Sequence, residues 1–292
     1  MSNLKEIRTR IGSVKSTQQI TRAMKMVAAS KLKKAQNAIL KIRPYANKLN
    51  EIIVQLSEGI DDISLNPFYK KRTPQKILLI PVTADKGLCG SYNSSIIKTT
   101  VHIIEELKSN GSAHQNIDLL CIGKKAEEYF KKNDYNIIDS YTELQGSTYV
   151  KVESIATKVL RQFKNEEYDL VKFIFNGFKN AAVYNTTIQQ YLPIEQKEET
   201  ENKEKSVALN YIFEPTEEEI IDELIPTSLK ISFYRIILES NASELGARMT
   251  AMDKATENAQ DILKDLKLTY NKARQTAITN EILEIVSGSD AI

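Results

Sequence analysis

Residues 4–35 read LKEIRTRIGSVKSTQQITRAMKMVAASKLKKA. Heptad positions set on Leu4 and Ile7 and stepped by four and three fall on Ile11, Val14, Gln18, Thr21, Lys25, Ala28, Leu32 and Ala35. The same steps then reach Ile39, Ile42, Ala46, Leu49, Ile53 and Leu56. Only Gln18, Thr21 and Lys25 interrupt the apolar character of this series. A stripe sustained this far predicts a supercoiled helix rather than a short surface helix. At the standard rise of 1.5 Å per residue, a helix over 1–57 would run roughly 85 Å, and it is expected to project from its domain. Asn3 followed by Glu6 reads as a capping box at its start, and Pro44, lacking a backbone donor, is expected to kink it.

The far end carries a second seam: Leu238, Ala242, Leu245, Met249, Met252, Thr256, Ala259, Leu263, Leu266, Tyr270, Ala273 and Ala277. Thr216 with Glu219 marks the start of that helix, Pro226 is expected to break or bend its first turns, and the helical pattern lasts to about Val286, before Gly288. Two seams in one chain predict an intramolecular antiparallel coiled coil, with the chain termini expected at opposite ends of the stalk.

Between the seams, Lys76 to Thr83, Ile117 to Ile122 and Leu170 to Asn176 are short apolar runs. Helical patterns at Ser94–Lys108, Lys124–Lys131 and Val150–Phe163 alternate with them, which predicts a mostly parallel sheet. Val183 to Leu192 is expected to return as a hairpin strand, and Tyr211 to Phe213 to add a last edge. The polar stretch from Glu195 to Ser206 reads as a mobile surface loop. The expected fold is α/β plus long helices: an antiparallel coiled coil of the N- and C-terminal helices with an inserted Rossmann-like α/β domain. The expected divisions are a helix over 1–57, a globular domain over 75–213 and a helix over 216–287.

Composition narrows the function. The 292 residues carry 40 basic and 38 acidic side chains, a net +2, so neither a nucleic-acid-coating tail nor an acidic solvating segment dominates. Only 10 glycines and 7 prolines disfavour an all-β fold, whose strands need frequent tight turns. No apolar run is long enough to span a bilayer. Cys89 and Cys121 carry no metal-ligand spacing or disulfide framework, which fits a reducing, cytosolic or cytosol-facing compartment.

A parallel sheet makes a nucleotide enzyme the natural rival, but neither G-x-x-x-x-G-K-[ST] nor G-x-G-x-x-G occurs. The loop Asp85-Lys-Gly-Leu-Cys-Gly-Ser-Tyr-Asn93 follows a strand and precedes a helix, where ligands often bind in open α/β sheets. It reads as a tight turn requiring Gly87 and Gly90. Cys89 as a nucleophile would need a base, and no motif ties His102 or His114 to it. Asp85 and Lys86 fit a turn or surface role better than acid-base chemistry, and no catalytic, cofactor-binding or metal-binding residue is assigned.

Charge is distributed unevenly. Met1 to Ser57 hold twelve basic residues against two acidic, a net +10. A DNA-binding basic region is disfavoured, because apolar heptads run through it and Tyr45 is its one aromatic. Around Gln18, Thr21 and Lys25 the apolar face is expected to move by one residue onto Ile20, Met24 and Val27. Met24 and Val27, with Arg22 and Lys25, would then face a surrounding partner. Plain loosening of the coil is the alternative.

Ser16 to Leu32, Asp85-Lys-Gly-Leu-Cys-Gly, Ala247-Arg-Met-Thr-Ala-Met-Asp-Lys-Ala-Thr256 and the run from Tyr270-Asn-Lys-Ala-Arg-Gln275 to Ile285-Val-Ser-Gly288 closely resemble the gamma-subunit family of rotary F-type ATP synthases. The resemblance covers essentially the whole chain. It implies a non-catalytic central-stalk rotor that couples ion-driven rotation of the c-ring to ATP synthesis or hydrolysis on the beta subunits. It implies three alpha and three beta subunits around one copy, an epsilon subunit and a c-ring as partners, and no cofactor, nucleic acid or membrane span. The implied location is peripheral, on the cytoplasmic face of the bacterial inner membrane. Carried over residue by residue, the beta-contacting positions are Arg22, Met24 and Lys25 in the first motif and Arg274, Gln275 and Thr279 in the last. Ile282 to Val286 resembles the tip held in an apolar sleeve. The thiol-regulatory insert of chloroplast relatives has no counterpart here. Two other classes remain as alternatives: a small-molecule enzyme built on the α/β domain and a coiled-coil adaptor that binds DNA.

Overall fold

A computed structural model describes residues 2–59, 66–70, 72–109, 116–144, 146–180, 183–195 and 216–289. The elements in chain order are α1 (Ser2–Gly59), β1 (Lys76–Pro81), α2 (Tyr92–Ser109), β2 (Asn116–Ile122), α3 (Lys124–Lys132), β3 (Ile137–Tyr141), α4 (Tyr149–Lys164), β4 (Leu170–Phe178), β5 (Tyr184–Leu192) and α5 (Glu217–Ser289). The expected edge at Tyr211–Phe213, the polar loop beyond Glu195, His114 and the side chains of Asn3 and Leu56 lie outside what is described. The chain divides into two units: Met1–Ser30 with Arg248–Ile292, and Lys31–Ala247.

In the second unit the sheet order is β3-β2-β1-β4-β5. β1 pairs in parallel with β2 and with β4, and β2 in parallel with β3. β5 returns antiparallel on β4, with Ile174 opposite Ile188, as a hairpin strand should. Leu78, Ile80, Leu120 and Phe173 face one side and pack with Val152, Val159 and Phe163 of α4 and Phe233 and Ile236 of α5. Ile77, Leu79, Leu119 and Cys121 face the other side and pack with Ile96, Ile103 and Ile104 of α2 and Phe130 of α3. Burial on both faces is why β1, β2 and β4 read as near-continuous apolar runs. The Phe233 ring stands edge-on to Phe173 (4.8 Å) and to Tyr191 (5.8 Å), which ties α5 to the sheet.

The sequence pattern did not announce β3. Ile137–Tyr141 is short, none of its residues is fully buried, and Asp139 and Ser140 break the apolar run, as suits an edge strand.

Pro44 and Pro226 end neither helix: α1 runs unbroken to Gly59 and α5 from Glu217 to Ser289, past Gly288. Each proline removes one backbone bond, and packing outweighs that loss here. Ala46, Leu49 and Ile53 of α1 are buried with Ile231 of α5. The α5 start expected from Thr216 is present, since the Glu219 amide donates to Thr216 Oγ1 at 3.3 Å.

In the first unit α1 and α5 pair directly. Thr21 Oγ1 lies 2.8 Å from Thr256 Oγ1, and the Lys25 ammonium donates to the Asp253 carboxylate. Advancing from Thr21 to Lys25 on one helix retreats from Thr256 to Asp253 on the other, so the pair is antiparallel. The start of α1 therefore points toward the C-terminal end of α5, which corrects the expectation that the termini lie at opposite ends. Continuation of the register brings Gln18 opposite Ala259, Val14 opposite Leu263 and Ile11 opposite Leu266.

The apolar face does not move at Gln18. Thr21 and Ala28 are buried and Lys25 is half-buried, whereas Ile20 and Val27 are 59% and 55% exposed. The seam keeps its heptad phase by taking in polar residues that meet polar partners across the coil, Thr21 at Thr256 and Lys25 at Asp253.

Candidate partner-contact surface

The crevice at the carboxyl ends of β1 and β2, where an open α/β sheet would hold a ligand, is filled by the chain itself. Ile237, Ser240 and Asn241 of α5 line it together with Val82, Thr83, Asp85, Gly123 and Leu144, and a space of about 10 Å³ remains. That admits no more than a single water.

The loop after β1 holds this closure in place. Asp85 accepts the Lys124 amide and the Glu143 amide, each at 3.0 Å, so one carboxylate ties α3 and the segment after β3 to the end of β1. Thr83 Oγ1 accepts the Ala126 amide at 2.9 Å, and Asn93 Oδ1 accepts the Ala84 amide at 2.9 Å. Tyr92 is fully buried, and its hydroxyl donates to the Ser240 carbonyl at 2.9 Å. Burial pushes its pKa far above the ordinary tyrosine value, the Ser240 hydroxyl opposes that rise, and nearby Glu244, Cys89 and Tyr184 add to it. Tyr92 is a permanent donor, not an acid.

The turn expectation holds for Gly90, which lies at φ 61°. It fails for Gly87: no left-handed backbone occurs there and an added Cβ would meet nothing within 4 Å, while Leu88 takes φ 63° instead. A further glycine the fold requires is Gly123, at φ 92°, where a Cβ would lie 2.1 Å from the Thr83 carbonyl oxygen.

Cys89 is buried and receives the Asn93 amide at 3.3 Å, whereas His102 lies exposed on α2. Cys121 is also buried, and burial together with the Glu127 charge pushes its thiol up to about 12. Neither thiol sits where a nucleophile would be activated. Among the described residues no group of three or more metal-ligating side chains occurs, and no helix is long and apolar enough to cross a membrane.

The six residues expected to contact a partner all lie in the first unit. Arg22 is exposed, Met24 half-buried, and Lys25 keeps 38% of its side chain in solvent beside Asp253. Arg274, Gln275 and Thr279 are exposed, and the Thr279 hydroxyl satisfies itself on the Gln275 carbonyl at 2.9 Å. The antiparallel register separates the two groups by about nineteen residues of helix, roughly 30 Å. They form two patches on one shaft, not one site.

Beyond its register with the start of α1, no other described element covers α5. Ile278, Ile282, Leu283, Ile285 and Val286 are 43–71% exposed there. Water-facing apolar residues concentrated on the end of a helix mark a surface that a partner covers. Asp253, which the heptad series passes over, is the residue that sequence reasoning missed; its signal is a lysine in one seam with an acid flanking the other.

A family model described as ATP synthase matches residues 3–292. The ATP synthase gamma chain of Cytophaga hutchinsonii is 47% identical over 293 residues, covering 100% of this chain and 99% of that one. That of Christiangramia forsetii is 46% identical with the same coverage. Among solved structures, one chain from the central stalk and c-ring of the Tetrahymena thermophila mitochondrial ATP synthase superposes with a TM-score of 0.59 at 30% identity, over 81% of this chain and 99% of that one. One from a Euglena gracilis mitochondrial ATP synthase superposes at 0.67 over 99% and 94%, and at 18% identity it attests the fold.

Proposed function

The chain belongs to the ATP synthase gamma-chain family, and from that premise we propose how its shaft works. It is the central-stalk rotor subunit and is not itself catalytic. Three alpha and three beta subunits surround one copy, an epsilon subunit and the c-ring engage the globular part, and the complex sits on the cytoplasmic face of a bacterial inner membrane. The helices 1–57 and 216–287 form the shaft and 75–213 its foot.

The observation that carries this reading is the bare end of α5, a single helix with apolar residues turned to solvent. It needs an apolar collar; in this reading Arg274, Gln275 and Thr279 beside it meet beta loops, with Arg22, Met24 and Lys25 meeting them further down, and the exposure of Arg274, Gln275 and Thr279 supports that. A guanidinium suits acidic loops because it offers several donors in one plane. One slender shaft cannot touch three beta subunits identically, so each orientation biases the three sites differently and rotation permutes them. Moving one site from 1:99 to 99:1 takes about 5.5 kcal/mol of differential contact. One charge crossing 100 mV supplies about 2.3 kcal/mol, so several ions are coupled to each switch.

Native mass spectrometry of the chain mixed with matching alpha and beta subunits tests the assignment. One copy per three alpha-beta pairs, with ATP hydrolysis dependent on its presence, is the expected result. A chain that stays alone beside competent partners would overturn it.

A further inference from the structure

The polar layer inside the coil has a task that apolar packing cannot perform. Its two helices meet there through alanines, methionines and short polar residues: Ala28 and Ala259 are buried, Met252 is buried, and Met24 is half-buried. Small and adaptable side chains pack tolerably in more than one axial register, so such a seam sets the phase of the helices weakly. The Lys25–Asp253 pair adds little stability, because its side chains are 38% and 45% exposed and pairs of that kind are worth little. Stability is therefore not what this layer contributes.

We propose that Lys25–Asp253 together with Thr21–Thr256 is the register lock of the shaft. The four residues meet as two complementary pairs in one register only. A slip of one heptad in one direction would set Asp253 opposite Gln18, Thr256 opposite Val14 and Thr21 opposite Met249. A slip the other way would set Lys25 opposite Gln260, Thr21 opposite Leu263 and Thr256 opposite Ala28. Either slip separates the charges and parts Thr21 from Thr256, although each hydroxyl keeps its bond to a carbonyl of its own helix, Gln18 at 3.0 Å and Met252 at 2.7 Å. A polar residue at a seam position is the best-attested device for fixing register in a coiled coil. These four are positioning residues: they set the axial distance and rotational phase between the Arg22 patch and the Arg274 patch. That consequence for coupling rests on the rotor reading above, whereas the lock itself concerns this chain alone.

Disulfide trapping in the full-length chain tests the lock. Ile11→Cys with Leu266→Cys reports the observed register, and Ile11→Cys with Ala259→Cys or with Ala273→Cys reports the two slipped ones. Cys89 and Cys121 are buried and do not compete. The unmodified layer is expected to cross-link only the first pair. Lys25→Met with Asp253→Leu keeps the coil apolar and helical, so circular dichroism is expected to be unchanged while slipped cross-links rise several-fold. Lys25→Asp or Asp253→Lys alone is expected to do the same, and the two together to restore the single register. Slipped pairs that stay unlinked in the apolar double variant and in both single variants overturn the lock, as does failure of the charge exchange to restore the register. In the assembled complex, coupling of hydrolysis to ion transport should fall with Asp253→Lys, which leaves the partner-contact residues unchanged. A register that shifts while coupling stays constant would uphold the lock and count against the rotor reading.

Discussion

The Tyr92 hydroxyl lies 2.6 Å from Ser240 Oγ, at the mouth of the crevice where a doubly wound sheet ordinarily receives its ligand. The first residue of α2 is thereby bonded to the middle of α5's packed half, and the fold uses its ligand-binding position to hold a helix. A buried hydroxyl without its partner costs about 1–3 kcal/mol. Tyr92→Phe should lose that much in urea unfolding of the full chain. It should gain no measurable affinity for ATP by calorimetry, since the ring still fills the space.

Gly123 and Gly87 separate backbone necessity from coincidence. Gly123→Ala forces a Cβ onto the Thr83 carbonyl at positive φ, and should destabilise the chain by at least about 2 kcal/mol. Gly87→Ala meets nothing and should stay within about 0.5 kcal/mol of the parent. Parallel urea titrations decide between equal and unequal effects.

At the β3 edge, Asp139 accepts Lys158 and the Tyr141 hydroxyl, both at 2.6 Å. Partial burial works to raise its carboxyl pKa, but these bonds and the Ser140 amide outweigh it and hold the group below the usual aspartate value. A depressed carboxyl stabilises the fold above its unfolded pKa and loses that contribution as pH falls through the folded one. Lys158 is raised, chiefly by the same bond, so its share persists until strongly alkaline pH. Asp139→Asn should therefore be less stable than the parent at neutral pH, and the gap should close below the carboxylate range. A gap that stays constant with pH would contradict the linkage.

Arg274 and Gln275 are exposed, and their replacement by alanine should leave stability within about 0.5 kcal/mol each. In the assembled complex the double variant should keep its subunit stoichiometry and lose part of its coupling between hydrolysis and ion transport. Loss of helicity in the free chain would assign them a structural role.

Much of this was legible because long periodic signals survive tertiary context. Leu32, Ala35, Leu49 and Ile53, named from heptad steps alone, are buried, and β1, β2, β4 and the β5 hairpin follow from apolar runs set between helical patterns. What escaped depended on partners distant in sequence. Lys25 read as a fault in the seam because its counterpart, Asp253, lies 228 residues away. Ile137–Tyr141 becomes a strand through the ladder that β2 offers. Closure of the crevice by Ser240 and Asn241 could not be read either, since nothing local marks a helix that plugs a sheet rather than covering it.

The central claim is that this chain turns. The most direct measurement fixes the alpha-beta hexamer to a surface, attaches a gold nanorod to a cysteine introduced at the exposed Lys108 on α2, and follows the rod during ATP hydrolysis. Unidirectional rotation with three dwell positions per turn, one for each beta subunit, is the predicted result. A rod that holds its orientation while ATP is consumed would contradict it.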